Sequence, residues 1–192
     1  MKIKRAVFLD RDGVINEARG FIINVKDVRI FKEVPDAIKK LNKRFYVIII
    51  TNQPQVGRGL CTERRVKKIN SYIVKELRKK GAKINAVFYC PHHPEQHSDI
   101  PAFAKKYRIK CECRKPNIGM IIKAKKRFGL DIKKSYFVGD TTIDVKTGKN
   151  CGCKTVLLRT GYAGKDRKYK VKPDFISKNM KTASETIISD SE

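Results

Sequence analysis

Short runs of apolar residues alternate along the chain with longer stretches in which apolar positions recur at helical spacing. Uninterrupted apolar runs of this length predict buried strands, and apolar residues three or four positions apart predict amphipathic helices. The predicted strands are residues 4–9, 46–50, 85–89, 135–138, 154–158 and a weaker run at 174–176. The predicted helices are residues 35–44, 62–80, 117–128, 143–150 and 182–188, followed by a tail, 189–192, that we expect to fray.

Apolar strands that alternate with helices indicate an α/β protein, because parallel strands covered on both faces read as nearly continuous hydrophobic runs. We therefore predict a three-layer, Rossmann-like parallel sheet with helices on both faces. A chain of 192 residues suits one core, so we expect a single domain over residues 1–192. The segment from Cys90 to Lys115 has little regular pattern, and a long loop of this kind needs a local reason to be ordered.

Composition and charge limit the compartments and the binding partners that the sequence predicts. No stretch reaches the ~20 apolar residues that span a bilayer, and the apolar residues 6–9 are interrupted by Asp10 before they could form a signal peptide. We expect a cytoplasmic protein without a membrane partner. The net charge of +26 would attract nucleic acid or phosphorylated metabolites. The lysines are dispersed over predicted helices without an aromatic stripe for base stacking, so we do not expect nucleic acid as a partner.

Four of the metal-binding side chains fall in two close pairs, Cys90-x-His92 and Cys111-x-Cys113. In a chain without an export signal this spacing predicts a metal rather than disulfides, and two pairs joined by a loop can form a tetrahedral, closed and therefore structural Zn²⁺ site. This zinc would order the loop over about 90–115. His93, and after it His97, are alternatives to His92 as the zinc ligand. We expect the remaining cysteines to be core or helix-end residues outside the site, namely Cys61, Cys151 and Cys153.

Acidic residues follow two predicted strands. Asp10 and Asp12 end the first strand, and Asp140 and Asp144 follow the fourth. Ligands of open α/β sheets bind at the carboxyl ends of the strands. Carboxylates gathered there repel one another unless a cation lies between them, and Mg²⁺ prefers such oxygen ligands. Phosphate-binding groups follow other strands or lie on loops, namely Thr51, Asn52, Arg114 and Lys115.

The order Asp-x-Asp-Gly, Thr, Lys and Gly-Asp-x-x-x-Asp resembles the haloacid dehalogenase (HAD) superfamily of phosphotransferases. The resemblance implies that Asp10 attacks phosphorus and becomes an acyl phosphate, while Asp12 acts as general acid and base. It also implies that Asp10, the backbone carbonyl of Asp12 and Asp140 hold Mg²⁺. Thr51 and Lys115 would bind the phosphoryl oxygens, with Asp144 orienting Lys115 or a metal-bound water rather than binding the metal directly.

Within that superfamily, Cys-Pro-His-His-Pro, Cys-x-Cys-Arg-Lys-Pro and Thr-Asn-Gln-x-x-x-Gly-Arg-Gly resemble the D-glycero-D-manno-heptose 1,7-bisphosphate 7-phosphatases. These are capless enzymes, so the resemblance implies an open site, a phosphorylated small-molecule substrate and a monomer. It also implies substrate contacts from Arg19, Gly20, Phe21, Ile22, Asn52, Arg114 and Lys115. Two departures are Pro54, where Ser often follows Thr-Asn-Gln, and a zinc loop a few residues longer than usual.

Three alternatives remain open from the sequence. Histidinol-phosphate phosphatases share the zinc arrangement, although their loop is typically shorter. Polynucleotide phosphatases use the same Asp-x-Asp-Gly chemistry and would suit the basic charge. A zinc module that binds nucleic acid without catalysis is the third alternative, and a steep salt dependence of DNA or RNA affinity would support either nucleic-acid function.

Overall fold

Six parallel strands form the centre of the molecule, which we describe from a computed structural model for residues 4–95 and 100–192. The strands are β1 (Ala6–Leu9), β2 (Tyr46–Asn52), β3 (Ala86–Cys90), β4 (Tyr136–Gly139), β5 (Lys154–Leu158) and β6 (Phe175–Ser177). Their spatial order is β3-β2-β1-β4-β5-β6. The chain therefore moves outward from β1 to one edge, returns past it to β4, and continues to the other edge. This reversal places the ends of β1 and β4 side by side, which is where open α/β sheets bind ligands.

Helices cover both faces of this sheet. They are α1 (Val34–Asn42), α2 (Glu63–Lys79), α3 (Ala102–Lys105), α4 (Gly119–Phe128), α5 (Thr142–Cys151) and α6 (Met180–Asp190). Side chains alternate between the faces of a strand. Val7 and Leu9 of β1 accordingly pack with α1, α2 and α6, and Ala6 and Phe8 pack with α4 on the opposite face. The predicted three-layer α/β fold is confirmed.

The element boundaries differ from the prediction in three informative places. β2 continues through Thr51 and Asn52, because β3 pairs with both residues. The predicted zinc loop contains one helical turn, α3, that its irregular pattern did not indicate. The expectation that the tail 189–192 frays was wrong, since α6 extends to Asp190, whose carboxylate accepts hydrogen bonds from the Tyr136 hydroxyl and Lys154.

None of the helices in the described part of the chain is both long and apolar enough to cross a bilayer. The predicted alternative zinc ligand His97 lies outside the described residues.

Candidate active site

The carboxyl ends of the central strands open into a cavity of about 220 Å³. β1 leads into Asp10 and Asp12, β2 ends with Thr51 and Asn52, and Asp140 directly follows β4. The cavity is lined by these five residues together with Ala18, Gly20, Phe21, Ile22, Pro54, Gln55, Arg114, Thr141, Ile143 and Tyr162. Residues far apart in sequence thus meet at one point, because parallel strands deliver their carboxyl ends to the same edge of the sheet.

A buried lysine links two of the carboxylates at this edge. The Lys115 ammonium lies 3.0 Å from Asp10 Oδ1 and 2.6 Å from Asp144 Oδ1. Burial alone would lower the pKa of Lys115, but the charges of Asp10 and Asp144 outweigh it and raise that pKa above its ordinary value. Lys115 is therefore a fixed positive charge beside Asp10.

The start of α5 fixes the position of Asp144. Thr141 caps the helix, its hydroxyl accepting a hydrogen bond from the Asp144 N–H, while the Asp144 carboxylate accepts one from the Thr141 N–H. This reciprocal capping box satisfies N–H groups that the first turn of a helix leaves free. A Cβ on Gly139 would lie 2.0 Å from the Asp144 Cβ, so only glycine leaves room for this carboxylate.

Three carboxylates, from Asp10, Asp140 and Asp144, each place an oxygen within 4.8 Å of the others. Burial, together with the charges of Asp144 and Asp10, raises the pKa of Asp140 to about 8. Burial likewise raises the pKa of Asp10 to about 6, against the opposing charge of Lys115. One lysine does not balance three carboxylates, so this oxygen-rich cluster fits a divalent cation such as Mg²⁺.

Glycines enclose Asp140 closely. A Cβ on Gly13 would lie 2.3 Å from Asp140 Oδ2, and one on Gly161 would lie 2.1 Å from the same atom. The Tyr162 N–H donates to Asp140 Oδ2 at 2.7 Å. Because side chains would collide with the carboxylate at both glycines, its position depends on bare backbone from two separate loops.

The Asp12 carboxylate has a different environment. Arg11 donates to both of its oxygens at 3.1 and 2.8 Å, Asn16 donates to Oδ1 at 2.9 Å, and Gln53 donates to Oδ2 at 3.0 Å. Burial opposes ionisation of Asp12, but the charge and hydrogen bonds of Arg11, with those of Asn16 and Gln53, lower its pKa. Arg11 therefore balances the charge of the Asp12 carboxylate.

Arg11 is a site residue that the sequence reasoning missed. Its side chain is fully buried, and it donates to Asn70 Oδ1 on α2 at 2.9 Å as well as to Asp12. Nothing local in the sequence connects Asn70 to residues 10–12, although a polar residue on the apolar side of α2 was a visible signal. Gln53 was also missed as a partner of Asp12, and its amide donates to the Thr51 hydroxyl oxygen at 2.9 Å as well.

Most of the predicted substrate-binding residues line the cavity, but Arg19 does not. Gly20, Phe21, Ile22, Asn52 and Arg114 line the cavity, with the Phe21 ring 44% exposed at its mouth. The Asn52 amide, however, accepts from the Lys115 N–H at 3.0 Å and donates to the Lys115 carbonyl at 3.2 Å. Asn52 thus holds the backbone of Lys115 in place. Arg19 is not among the cavity-lining residues, and its exposed guanidinium pairs with Glu17.

A second cluster unites Cys90, His92, Cys111 and Cys113, whose ligand atoms all lie within 4.8 Å of one another. The sulfur atoms are 3.2 to 3.5 Å apart, and His92 Nδ1 lies 3.2 Å from Cys113 Sγ. Tetrahedral zinc with bonds of about 2.3 Å would separate its sulfurs by roughly 3.8 Å, so a small outward adjustment would accommodate that ion. Four side chains from the loop and β3 can therefore hold one metal ion.

His93, the alternative ligand, points elsewhere. It is 3% exposed, and its Nδ1 lies 3.4 Å from the Arg108 guanidinium. Its backbone N–H donates to the Tyr107 carbonyl at 3.0 Å. The structure thus places His92 in the cluster, whereas His93 packs between the loop and Gly57. A Cβ on Gly57 would lie only 2.8 Å from the His93 backbone nitrogen.

A side-chain hydrogen bond also connects the loop from Cys90 to Lys115 with α2. Glu63, at the start of α2, accepts hydrogen bonds from the Tyr89 hydroxyl at 2.7 Å and from the Tyr107 hydroxyl at 2.9 Å. Arg114 donates to the His92 carbonyl at 3.1 Å. The metal-binding cluster and these contacts together determine where Arg114 and Lys115 enter the active site.

Comparison with known proteins agrees with this geometry. Residues 112–183 match the hydrolase-like family model described as HAD-hydrolase-like. The fold resembles a D,D-heptose 1,7-bisphosphate phosphatase from B. bronchiseptica, solved with magnesium and phosphate, with a TM-score of 0.82, 24% identity, and coverage of 97% of this chain and 99% of that one. The fold and the matched segment are therefore HAD-like.

Two curated relatives identify the family more closely. The chain is 36% identical to the D-glycero-beta-D-manno-heptose-1,7-bisphosphate 7-phosphatase of Haemophilus ducreyi, over 83% of this chain and 86% of the relative. It is 37% identical to the corresponding alpha-anomer enzyme of Photorhabdus laumondii, over 84% and 85%. The chain belongs to the D-glycero-D-manno-heptose-1,7-bisphosphate 7-phosphatase family, which confirms the resemblance stated from the sequence.

Proposed function

We propose that this phosphatase removes the 7-phosphate of D-glycero-D-manno-heptose 1,7-bisphosphate through an aspartyl-phosphate on Asp10. The observation that carries the proposal is the convergence of Asp10, Asp140, Asp144 and Lys115 at the strand edge. Family membership supports the substrate, since the relatives named above act on heptose bisphosphate.

In the first step, an Asp10 carboxylate oxygen attacks phosphorus and the bond from phosphorus to the sugar oxygen breaks. Asp10 Oδ1 accepts hydrogen bonds from the Arg11 N–H at 2.7 Å and from Lys115, which hold the carboxylate in one orientation. Asp12, in its protonated form, gives its proton to the departing sugar oxygen. Lys115 and the Thr51 hydroxyl stabilise the negative charge on the phosphoryl oxygens.

In the second step, water attacks the phosphorus of the aspartyl-phosphate. The Asp12 carboxylate accepts the proton of that water, and the bond from phosphorus to Asp10 breaks to release inorganic phosphate. The hydrogen bonds from Arg11, Asn16 and Gln53 favour the ionised form of Asp12 that this step requires. Arg11 and Gln53 thus act as positioning residues for Asp12.

We propose Mg²⁺ as the divalent cation of the carboxylate cluster, held by Asp10, Asp140 and the backbone carbonyl of Asp12, with Asp144 oriented toward Lys115. When bound, Mg²⁺ offsets the negative charge of the phosphate against that of the carboxylates. Zn²⁺ is the proposed ion of the Cys90, His92, Cys111 and Cys113 cluster. With four protein ligands it would be structural.

A larger cavity adjoins the active site and suits a second phosphate. It has a volume of about 610 Å³ and includes Lys110, Arg114, Lys115 and Lys168 in its lining. Arg114 and Lys115 are therefore next to both the carboxylate cluster and this basic cavity. A bisphosphate that presents one phosphate to Asp10 would extend the other toward Lys168, whereas a monophosphate would leave Lys110 and Lys168 without a phosphate. We also propose a cytoplasmic location, since a reducing compartment keeps the cysteines free to bind zinc, and a monomer, which the resemblance to capless enzymes implies.

The test compares kcat/KM for both anomers of heptose 1,7-bisphosphate, heptose 7-phosphate and histidinol phosphate. We expect the bisphosphate to be the best substrate. Lys168→Ala should raise KM for the bisphosphate roughly three- to tenfold, the value of one exposed charge-assisted contact, and leave heptose 7-phosphate unaffected. Lys172→Ala, an exposed lysine outside the cavity lining, is the matched control. Higher efficiency with histidinol phosphate would refute the substrate assignment.

A further inference from the structure

A second sulfur pair lies at the C-terminal end of α5, away from the residues assigned to catalysis or to the Cys/His cluster. The sulfur atoms of Cys151 and Cys153 are 3.3 Å apart. Both are free thiols in the structure, and they pack at the edge of the apolar layer between the sheet and α4. Neither the phosphatase chemistry nor the proposed zinc site uses them.

The backbone brings the two thiols together. α5 ends at Cys151, and Gly152 adopts the left-handed conformation with φ +81°, which reverses the chain. The Cys153 N–H donates to the Gly148 carbonyl at 2.9 Å, and the Gly152 N–H donates to the Lys149 carbonyl at 3.2 Å. Because glycine adopts this conformation at little cost, the turn holds the cysteine side chains on the same side without a metal.

The two thiols differ in accessibility. Cys151 is partly exposed, and Cys153 is only 4% exposed. A small reagent can therefore reach Cys151 before Cys153. The Sγ atom of the buried Cys153 contacts the Sγ atom of Cys151. This is the arrangement of an attacking thiol and a resolving thiol.

The pair does not form part of a larger metal-binding group. Within residues 4–95 and 100–192, the groups of three or more metal-ligating side chains are the carboxylate cluster and the Cys/His cluster. A closed tetrahedral site needs four ligands, so two sulfurs alone favour redox chemistry over stable zinc binding.

We infer that Cys151 and Cys153 form a redox-active dithiol that exchanges with low-molecular-weight disulfides. The Cys151 thiolate attacks one sulfur of the small disulfide, forms a mixed disulfide and releases one thiolate. Cys153 then loses its proton and attacks Cys151 Sγ, which forms the internal disulfide and releases the second small thiol. The protein dithiol is oxidised by two electrons, and the small disulfide is reduced to two thiols.

The experiment exposes folded, zinc-loaded protein to glutathione disulfide, alkylates the remaining thiols under denaturing conditions and maps tryptic peptides by mass spectrometry. Cleavage after Lys149 and Lys154 isolates residues 150–154, which contain both cysteines and no others. We expect this peptide to lose two hydrogen atoms and to carry no glutathione or alkyl group, while the peptides with Cys90, Cys111 and Cys113 remain alkylated.

Two variants assign the roles. Cys153→Ser should trap a glutathione adduct on Cys151, and Cys151→Ser should leave the buried Cys153 largely unreacted. Cys61→Ser, which removes a buried thiol from a different apolar cluster, should react like the wild type. Wild-type peptide 150–154 with two alkyl groups, or with a persistent glutathione adduct, would overturn the proposal; absence of an adduct in Cys153→Ser would overturn the role of Cys151.

Discussion

Asp10 and Asp12 lie two residues apart, yet their surroundings change their acidity in opposite directions. Burial, together with Asp144 and Asp12, raises the pKa of Asp10 to about 6, whereas Arg11 and two amides lower that of Asp12 despite its burial. Pairs of carboxyl groups separated in this way commonly divide catalytic roles between them. We propose Asp10 as the nucleophile because it lies beside Lys115 and the carboxylate cluster, where a bound cation would offset the burial that raises its pKa. Asp12, whose ionised form is favoured by Arg11 and the amides, suits acceptance of the proton from water.

Substitution of Asp10 by Asn tests the nucleophile assignment. The amide retains the shape of the side chain but cannot attack phosphorus effectively, so kcat should fall by more than about 10³-fold, as nucleophile removal costs about 10⁶-fold in a well-studied hydrolase. The measurement is steady-state hydrolysis of heptose bisphosphate with Mg²⁺, with circular dichroism to verify the fold.

Asp36→Asn is the matched control, because Asp36 is an exposed carboxylate on α1 that pairs only locally with Lys39. It should retain wild-type kcat. Turnover of Asp10→Asn within tenfold of wild type would exclude Asp10 as the nucleophile.

At this scale, the sequence predicted which carboxylates meet at the strand edge, but not the residues that hold Asp12 and Lys115 in position. Asp10, Asp140 and Lys115 could be predicted because each follows a strand or lies in a recognisable motif. The partnership of Arg11 with Asn70 could not, since the two residues are separated by 59 positions and meet only after α2 packs on the sheet. Likewise, the sequence predicted Asn52 as a substrate contact, and it lines the cavity, but its hydrogen bonds to the Lys115 backbone could not be predicted.

At the scale of elements, the loop between β3 and α4 joins the Cys/His cluster to the candidate active site. Cys113 is followed directly by Arg114 and Lys115. Two further contacts anchor the loop, from Tyr107 to Glu63 and from Arg114 to the His92 carbonyl. A metal ion at the cluster would therefore restrict the motion of Arg114 and Lys115, the cations that we propose bind phosphate.

Removal of one metal ligand should accordingly reduce both stability and activity. We expect Cys111→Ser to release the proposed zinc, to lower Tm, and to decrease kcat/KM at least tenfold, because Lys115 loses part of the support for its position. The measurements are zinc content, thermal unfolding and hydrolysis of heptose bisphosphate.

Cys61→Ser is again the control, since Cys61 is a buried cysteine outside the cluster. It should retain zinc and activity. If the Cys111→Ser protein loses zinc but keeps wild-type kcat/KM, the metal does not contribute to the positioning of Lys115.

The elements themselves were largely predictable where periodicity was strong. β5 was predicted at its observed bounds, Lys154–Leu158, and each major helix was predicted within a few residues. The exceptions depend on tertiary contacts. α3 is a single turn within an irregular loop, and the last turn of α6 persists because Tyr136 and Lys154 bind Asp190. Neither effect leaves a periodic signal in a short window.

At the scale of the whole molecule, a strongly basic protein surrounds an acidic centre. The net charge is +26, but the strand edge gathers three carboxylates. The positive exterior favours the approach of phosphorylated substrates. The acidic centre favours a divalent cation over a bare phosphate, so the two ligands complement each other at the site.

This charge distribution predicts how stability depends on pH. The ordinary Asp pKa is 3.8, and the folded protein without Mg²⁺ raises it to about 6 for Asp10 and to about 8 for Asp140. A carboxyl group with a raised folded pKa stabilises the fold fully below its unfolded pKa, and that contribution disappears as pH rises through the folded value. Groups with lowered pKa values, such as Asp12, change stability at more acidic pH.

We therefore expect Tm of the zinc-loaded, Mg²⁺-free protein to fall as pH rises from about 3.8, the ordinary Asp pKa, to about 8, with Asp10 contributing up to about pH 6 and Asp140 up to about pH 8. Mg²⁺ binds the ionised carboxylates, so it should raise Tm more at the upper end of this interval than at the lower end. Asp140→Asn removes the most strongly shifted group and should weaken both the pH dependence and the response to Mg²⁺. If Tm without Mg²⁺ instead stays constant or rises across the interval, the three carboxylates do not share the buried, mutually repelling arrangement on which magnesium binding depends.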